Sequence, residues 1–130
     1  MYILDTNTLI YFFKGIGNVS TSLLKKSPRS IGIPTIVLFE LEVGIAKSTS
    51  PEKRRVQLQS LTSTVNILPL GREEVKWAAT IRADLENQGK PIGPYDVLIA
   101  GTALANKAIL VTHNTGEFKR IAGLQLEDWY

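Results

Sequence analysis

Four acidic residues in this sequence lie at positions where a carboxylate suggests chemistry. Asp5 follows the first apolar segment of the chain, and Glu40 lies inside another apolar stretch. Asp96 directly precedes the apolar run Val-Leu-Ile-Ala, and Glu117 follows the last strongly apolar segment. An unpaired carboxylate is costly to bury, and glutamate is almost never fully buried without a partner. These acids are therefore candidates for a shared site.

Each acid also has an ordinary structural explanation. Asp5 and Asp96 could cap the helices that follow them. Glu40 could form a buried salt bridge with an arginine, and Asn114 and Glu117 could belong to an ordinary loop. Taken one at a time, none of the acids identifies a site.

Glu40 is the most informative acid because helical spacing places it on an apolar helix face. The residues that share this face are Ile36, Val37, Leu41 and Gly44. Gly44 lies one turn beyond Glu40 and leaves room for another group to approach. Glu42 lies on roughly the opposite side of the helix, where water can solvate it.

Short strands and helices alternate along the chain. The pattern predicts strands at residues 2–4, 30–33, 64–68, 108–112 and 124–126. It predicts helices at residues 8–14, 19–26 (with Asn18 as the cap), 35–47, 51–61, 72–88 and 96–106, with a loop or short helix after residue 112. This alternation indicates βαβ units with right-handed crossovers. We therefore expect residues 1–130 to form a single domain, a three-layer α/β/α fold around a central, mostly parallel sheet.

The predicted fold would bring the acids together. In open parallel sheets, ligands bind outside the carboxyl ends of the strands, and Asp5 and Thr112 both stand at predicted strand ends. Three or four carboxylates at one edge would repel each other unless cations neutralised them, and hard oxygen ligands select Mg²⁺ or Mn²⁺. Zinc is disfavoured because the chain has no cysteine and one histidine. Neither a P-loop nor a dinucleotide-binding glycine motif is present.

Composition adds weaker constraints. The formal net charge is +3 and the pI is near 9.3. Basic side chains cluster at Lys25, Lys26 and Arg29, and again at Lys53, Arg54 and Arg55. Such clusters suit a phosphate polymer, although solvated helix faces explain each of them as well. With no secretory signal, no membrane segment and no cysteine, we expect a cytoplasmic protein.

Five segments together resemble the PIN-domain ribonucleases of the VapC toxin type. The matching segments are residues 3–7 (ILDTN), 34–44 (PTIVLFELEVG), 92–100 (IGPYDVLIA) and 110–118 (LVTHNTGEF), and residues 126–129 (LEDW) are also similar. Each motif is short, but four of them in this order and spacing make a specific match over nearly the whole chain.

The resemblance implies the toxin of a toxin–antitoxin pair. Such a protein would be a Mg²⁺-dependent endoribonuclease, with Mn²⁺ as a substitute, and would cleave structured RNA, often transfer RNA. The metal would lower the pKa of a bound water for in-line attack on the scissile phosphate. A cognate VapB-like antitoxin and a second copy of the chain are the implied partners, with operator DNA contacted only through the antitoxin.

The resemblance also implies roles for individual residues. Asp5, Glu40 and Asp96 match the core acids, with Asp5 and Asp96 as the direct metal ligands. The family's fourth acid corresponds to Asn114 here, and Glu117 lies three residues further on, so the fourth place is open between them.

By the same resemblance, Asn7 and Thr112 position the acids or a metal-bound water. Whether one or two metal ions act is open.

The sequence pattern also has three alternative functional interpretations. A PIN-fold nuclease outside any toxin pair is one, and a neighbouring small open reading frame would distinguish it. A receiver-like module is a second, but the predicted strand at residues 64–68 ends without the acid that receivers need. A non-catalytic RNA-binding domain is the third, and it would not explain buried acids.

Overall fold

Five short strands form one sheet in a computed structural model that describes residues 1–130. The strands are β1 (Tyr2–Leu4), β2 (Ile31–Pro34), β3 (Asn66–Leu68), β4 (Ile109–Val111) and β5 (Gln125–Glu127). The helices are α1 (Thr6–Lys14), α2 (Val19–Leu24), α3 (Thr35–Ala46), α4 (Pro51–Thr62), α5 (Arg72–Asn87), α6 (Pro94–Ala105) and α7 (Thr115–Phe118), with a 3₁₀ turn at Pro28–Ser30. None of the helices combines the length and the apolar character needed to span a membrane.

The sheet order is β3-β2-β1-β4-β5, and every neighbouring pair is parallel. The chain runs outward from β1 to β2 and β3, then returns past β1 to β4 and β5. Because such crossovers are right-handed, α1 to α4 cover one face of the sheet and α5 and α6 the other. The helix contacts agree, since α1 packs on α2 and α3, α3 on α4, and α5 on α6. The predicted three-layer fold is confirmed, and its sheet is entirely parallel.

The central strand β1 and its neighbour β4 are apolar because helices cover both of their faces. Ile3 and Leu4 of β1 and Leu110 and Val111 of β4 are completely buried. They belong to one continuous apolar cluster that also includes residues of both helix layers. The ends of β1 and β4 are therefore held rigidly relative to each other.

Two early helices differ from the prediction at their ends. α1 begins at Thr6, two residues early, because Asp5 caps it by accepting a hydrogen bond from the Thr8 N–H at 2.9 Å. α2 ends at Leu24, two residues short of the prediction. Asn18 precedes α2 but does not cap it, because its side-chain amide donates instead to the backbone oxygen of Tyr130 at 3.1 Å.

The third strand is shorter than predicted, because the first residues of the predicted strand form hydrogen bonds with the end of α4. Thr64 donates its hydroxyl to the Leu61 carbonyl at 2.9 Å, and Ser63 donates its hydroxyl to the Ser60 carbonyl at 2.8 Å. These side-chain bonds satisfy carbonyls at the helix end. β3 therefore starts at Asn66 and not at residue 64.

The prediction that the sixth helix starts at Asp96 is wrong. α6 begins at Pro94 with Gly93 as the preceding cap residue, and Asp96 lies in its first turn. Proline suits the first helical position because it has no N–H that would need a partner there. Asp96 therefore does not cap the helix, although its charge still interacts favourably with the helix dipole.

Gly101 allows α5 and α6 to pack closely. A Cβ atom built at Gly101 would lie 2.7 Å from both the Cβ and the backbone nitrogen of Ala78 on α5. Neither neighbour is the flexible end of a side chain, so the two helices would have to separate. The contact fixes α6, and with it Asp96, relative to the rest of the chain.

We predict that Gly101→Ala lowers the free energy of unfolding by about 1–3 kcal/mol, because overpacking outweighs the better helix propensity of alanine. Gly44→Ala is the matched control, since a Cβ at Gly44 meets nothing within 4 Å. That variant should gain about 0.5–1 kcal/mol from helix propensity alone. Urea denaturation of both variants measures the difference, and similar effects of the two substitutions would contradict the packing argument.

Candidate active site

The candidate site lies between two neighbouring strands, β1 and β4, whose connecting helices lie on opposite faces of the sheet. From β1 the chain crosses to β2 on one face, whereas β4 receives its crossover from the other face, so a crevice opens at the carboxyl ends of these two strands. Asp5 directly follows β1 and Thr112 directly follows β4. Both residues are buried, at 5% and 0% exposure. Two of the predicted site residues therefore flank the crevice.

Asp5 is held by both its backbone and its side chain. Its N–H donates to the Val111 carbonyl at 3.2 Å, which extends the pairing of β1 with β4. Thr8 donates its hydroxyl to the same carbonyl at 3.2 Å and its N–H to Asp5 Oδ1. The second carboxylate oxygen, Oδ2, has no partner within the chain and is not sealed from solvent. Asp5 thus caps a helix and also offers a free oxygen to the crevice.

Glu40 reaches the site from α3. Its Oε1 accepts a hydrogen bond from the Thr6 hydroxyl at 2.7 Å, across the contact between α1 and α3. No arginine or lysine pairs with it, so the salt-bridge explanation is wrong. Thr6 was not among the predicted site residues, and its only signal in the sequence is its place directly after Asp5. Glu42 is exposed, as expected.

Asp96 carries the strongest electrostatic signal in the molecule. Burial is the largest cause that raises the pKa of its carboxyl from the usual 3.8 to about 6. Repulsion from neighbouring negative charges raises this pKa as well, and the neighbours responsible are Asp5, Glu40 and Glu117. Four acids from four separate elements therefore share one site. Its charge is not offset by any ion pair, because the chain's three ion pairs all lie elsewhere.

The remaining predicted residues differ in what they contact. Glu117, on α7, is close enough to act on Asp96, whereas the side chain of Asn114 is exposed and makes no hydrogen bond. The Asn114 N–H donates to the Thr112 hydroxyl at 3.0 Å, which forms the turn after β4. Asn7 is exposed, and its side chain has no partner in the chain. Geometry thus favours Glu117 over Asn114 as the fourth acid.

The donor set fits a hard divalent cation. All four groups are carboxylates, which suit Mg²⁺ or Mn²⁺, and their mutual repulsion is what a cation would relieve. No three acidic or histidine side chains stand close enough to hold an ion in common as they are placed. An ion held by three of the acids at once would therefore require side-chain rotation.

His113 is held outside the acid cluster by the end of the chain. Its Nδ1 lies 2.9 Å from a carboxylate oxygen of Asp128, and its ring stacks on Tyr130 with centroids 4.1 Å apart. Tyr11 contacts the rings of both residues edge-on. The single histidine is thus engaged in packing the C-terminal segment.

A groove of about 320 Å³ begins at Glu40 and lies between α1, α3 and α4. Its apolar lining consists of Ile10, Phe13, Leu41, Ile45 and Leu58. Gly44 also lines it, as do the basic side chains of Lys14 and Arg54. The face of α3 predicted to be apolar therefore continues from the acids into an open groove.

A sequence model of the PIN domain matches residues 2–124. The chain belongs to the PIN-domain family. This PIN domain is similar to the tRNA(fMet)-specific endonuclease VapC of Shigella flexneri, at 34% identity over 98% of this chain and 97% of that protein. It is 37% identical to ribonuclease VapC2 of Rickettsia felis, over 99% and 98% of the two chains. The family resemblance inferred from the motifs is confirmed.

A solved structure agrees with these relatives. The crystal structure of VapBC2 from Rickettsia felis, bound to a DNA fragment from its promoter, contains a chain that this PIN domain matches with a TM-score of 0.92. The two chains are 36% identical, and the match covers 99% of this chain and 98% of that one. The similarity therefore extends over the whole fold, including the elements that carry the four acids.

We predict that Asp96→Asn makes the metal-free protein more stable at neutral pH. Because the folded pKa of Asp96 is raised to about 6, ionisation of Asp96 destabilises the folded state as the pH rises from about 4 to 6. Asparagine avoids this cost, which is on the order of 1 kcal/mol after solvent screening. Urea denaturation in EDTA across this pH range measures the difference between variant and wild type.

The stability difference should be small below pH 4, grow up to about pH 6 and then stay constant. Glu42→Gln, on an exposed acid of α3, is the control and should show no such growth. A difference between Asp96→Asn and wild type that shrinks with rising pH would contradict the assignment.

Proposed function

We propose that this PIN domain is a metal-dependent endoribonuclease and the toxin of a toxin–antitoxin pair, acting on structured RNA such as transfer RNA. The observation that carries the proposal is the cluster of four acids in one crevice: burial raises the pKa of Asp96 most, and Asp5, Glu40 and Glu117 lie close enough to raise it further. Such a cluster has no structural benefit, because it contains no offsetting positive charge. The similarity to proteins named ribonuclease VapC2 and tRNA(fMet)-specific endonuclease VapC supports the same activity.

Asp5 and Asp96 are the proposed ligands of a Mg²⁺ or Mn²⁺ ion. When bound, such an ion lowers the pKa of a water molecule and neutralises charge on the scissile phosphate. Asp5 suits this role because its Oδ2 is free while Oδ1 is fixed by the Thr8 N–H. A carboxylate that is fixed through one oxygen keeps its orientation, and its second oxygen stays free to bind the ion.

Glu40 and Glu117 complete the proposed machinery. The Thr6 hydroxyl fixes one oxygen of Glu40, so its other oxygen can accept a proton from an attacking water or orient that water. Glu117 contributes the fourth negative charge from α7. Thr112 shapes the turn that brings Glu117 to the crevice, through its bond from the Asn114 N–H.

Asn7 has the weakest support among the proposed positioning residues, since its side chain contacts nothing in the chain. Its exposed amide remains a proposed contact for RNA or for a bound water.

We predict that Asp5→Asn abolishes toxicity and that Glu40→Gln lowers RNA cleavage by about 10²–10⁴-fold, as expected for loss of a proton-transfer group. Asp5→Asn should still fold, because asparagine caps helices as well as aspartate does. Glu42→Gln, two residues away on the exposed side of α3, should cleave like wild type. Single-turnover cleavage of total transfer RNA, with thermal melting as the folding check, distinguishes these variants. Wild-type cleavage by Glu40→Gln would remove Glu40 from the machinery.

The groove beside Glu40 is the proposed binding surface of the antitoxin. Its apolar lining suits an apolar segment of a VapB-like partner, and its acidic end suits a basic side chain pointing toward Glu40, Asp5 and Asp96. Bound in this way, the partner would block the crevice and neutralise the acids together. Operator DNA would then be contacted through the antitoxin, in keeping with the promoter-bound VapBC2 complex of Rickettsia felis.

We predict that Gly44→Leu weakens antitoxin binding by at least about 10-fold, because a leucine side chain would project into the groove. Gly44→Ala is the matched control and should bind nearly as well as wild type. Isothermal titration of each variant with the antitoxin encoded beside it measures the effect, with thermal melting as the folding check. Unchanged affinity for Gly44→Leu would place the antitoxin on another surface.

A homodimer in the cytoplasm is the proposed working form. A chain of 14.4 kDa offers little surface to a folded RNA, and two crevices facing a shared groove would offer more. The cytoplasm is where the proposed substrate and antitoxin occur together. Sedimentation at micromolar concentration measures the oligomeric state, and a result of monomer alone would contradict the proposed dimer.

The expected cleavage products follow from the lack of a second histidine. Ribonucleases that work without metal use two proton-transfer groups, usually histidines, and leave 2′,3′-cyclic phosphates. This chain has only His113, so two histidines cannot act together within one subunit, and His113 is engaged with Asp128 and Tyr130. We therefore predict 5′-phosphate and 3′-hydroxyl ends, as expected when water attacks phosphorus.

Mapping of the RNA ends, with and without EDTA, tests this mechanism. Cleavage should stop in EDTA and return with Mg²⁺ or Mn²⁺, and His113→Ala should retain most of the activity. Cyclic phosphate ends, or cleavage that persists in excess EDTA, would falsify it.

A further inference from the structure

Two exposed aromatic side chains, each directly before one of the acids in the chain, contact each other. Phe39 and Tyr95 are 49% and 43% exposed, yet they contact each other edge-to-face with ring centroids 5.7 Å apart. Phe39 directly precedes Glu40 in the chain, and Tyr95 directly precedes Asp96. Each residue therefore keeps almost half of its surface in contact with water, and burying this apolar surface against another group would be favourable.

The ring pair forms at the junction of the two helix layers. Phe39 is on α3 and Tyr95 is in the first turn of α6, and these helices cover opposite faces of the sheet but touch beside the crevice. Each ring also limits the motion of the other. The pair is thus a preformed aromatic surface fixed to the elements that carry Glu40 and Asp96.

We propose that Phe39 and Tyr95 form a stacking platform for an unpaired RNA base next to the scissile phosphate. The inference rests on the proposed ribonuclease function, since the base would contact the rings while the neighbouring phosphate lies at the four acids. Nucleic-acid bases stack on exposed aromatic side chains, and every base has a face that can do so. Neither ring needs a hydrogen bond to the base, so the platform selects for an unstacked base more than for its identity.

The platform restricts the form of RNA that can be cleaved. A base inside a helix is already stacked on both sides and cannot reach the rings without being unpaired. The substrate must therefore present an unpaired nucleotide at the cleavage site, in a loop, a bulge or a single strand. Cleavage inside an uninterrupted RNA helix should be slow.

Binding of a short single-stranded RNA tests the platform directly. The probe is an oligonucleotide that contains a cleavage site, in two versions: one intact and one with an abasic residue beside the scissile phosphate. Affinity is measured by fluorescence anisotropy with Ca²⁺ in place of Mg²⁺. The variants are Phe39→Ala and Tyr95→Ala, with the conservative changes Phe39→Tyr and Tyr95→Phe.

The alanine variants should bind the intact RNA about 5- to 100-fold more weakly than wild type does, as expected for the loss of one stacked base. Wild type should bind the abasic RNA more weakly than the intact RNA by a similar factor. The affinity for the abasic RNA should fall little further when either alanine variant replaces wild type. The conservative variants should restore binding. In cleavage with Mg²⁺, KM should rise more than kcat falls, because stacking holds the ground-state complex as well.

Trp77→Ala is the matched control, because Trp77 is also 43% exposed but lies on α5 without an aromatic neighbour. An equal loss of affinity in this variant, or full affinity of wild type for the abasic RNA, would overturn the platform. Sedimentation of each variant gives the third criterion. If Phe39→Ala or Tyr95→Ala converts a dimer to a monomer, the rings form a contact between two copies of the chain, and the proposal is wrong.

These results separate the platform from the proposed nuclease function. If wild type cleaves RNA while the alanine variants bind it normally, the platform fails and the nuclease function stands. If wild type cleaves no RNA, the nuclease function fails, and the platform fails with it because it is defined by its place beside the cleaved phosphate.

Discussion

Repulsion among four carboxylates is the interaction on which the rest of the site depends. Asp5, Glu40, Asp96 and Glu117 share a crevice in which no lysine or arginine pairs with any of them. Left to itself, such a cluster would spread into solvent. It persists because each acid is attached to a different element of a well-packed fold. Moving one acid away from the other three would disturb the packing of the element that carries it.

The sheet provides the rigidity that this arrangement needs. β1 and β4 are buried on both faces and pair directly with each other, so Asp5 cannot move away without breaking the centre of the core. α6 is positioned on the opposite face by the close approach of Gly101 to Ala78. The cost of gathering the acids is thus offset by apolar packing that lies away from the crevice itself.

Sequence patterns predicted most of this framework, because its signals are local. Alternating apolar segments located the strands and the helices, and the position of Asp5 after a strand and of Glu40 on an apolar face directed attention to one edge of the sheet. The bonds that orient the acids were not predictable in this way. The Thr6 hydroxyl reaches Glu40 across 34 residues, and the Thr8 hydroxyl reaches a carbonyl 103 residues away.

The choice between Asn114 and Glu117 also depends on the folded structure and not on the sequence pattern. Both follow β4, and only the fold of the short helix α7 decides which side chain approaches Asp96. The start of α6 is hard to predict from the sequence for a different reason. Asp96 has the properties of a cap residue, but Gly93 and Pro94 already begin the helix, and local capping preferences do not rank these alternatives.

The residues of the groove and those of the crevice are synthesised at different times. Every residue that lines the groove lies between Ile10 and Leu58, whereas the crevice needs Asp96 and Glu117 from the last third of the chain. A ribosome making this protein therefore synthesises the residues of the groove well before those that complete the crevice. The proposed antitoxin surface is thus encoded by the first half of the chain, and the acid cluster is completed only by the last third.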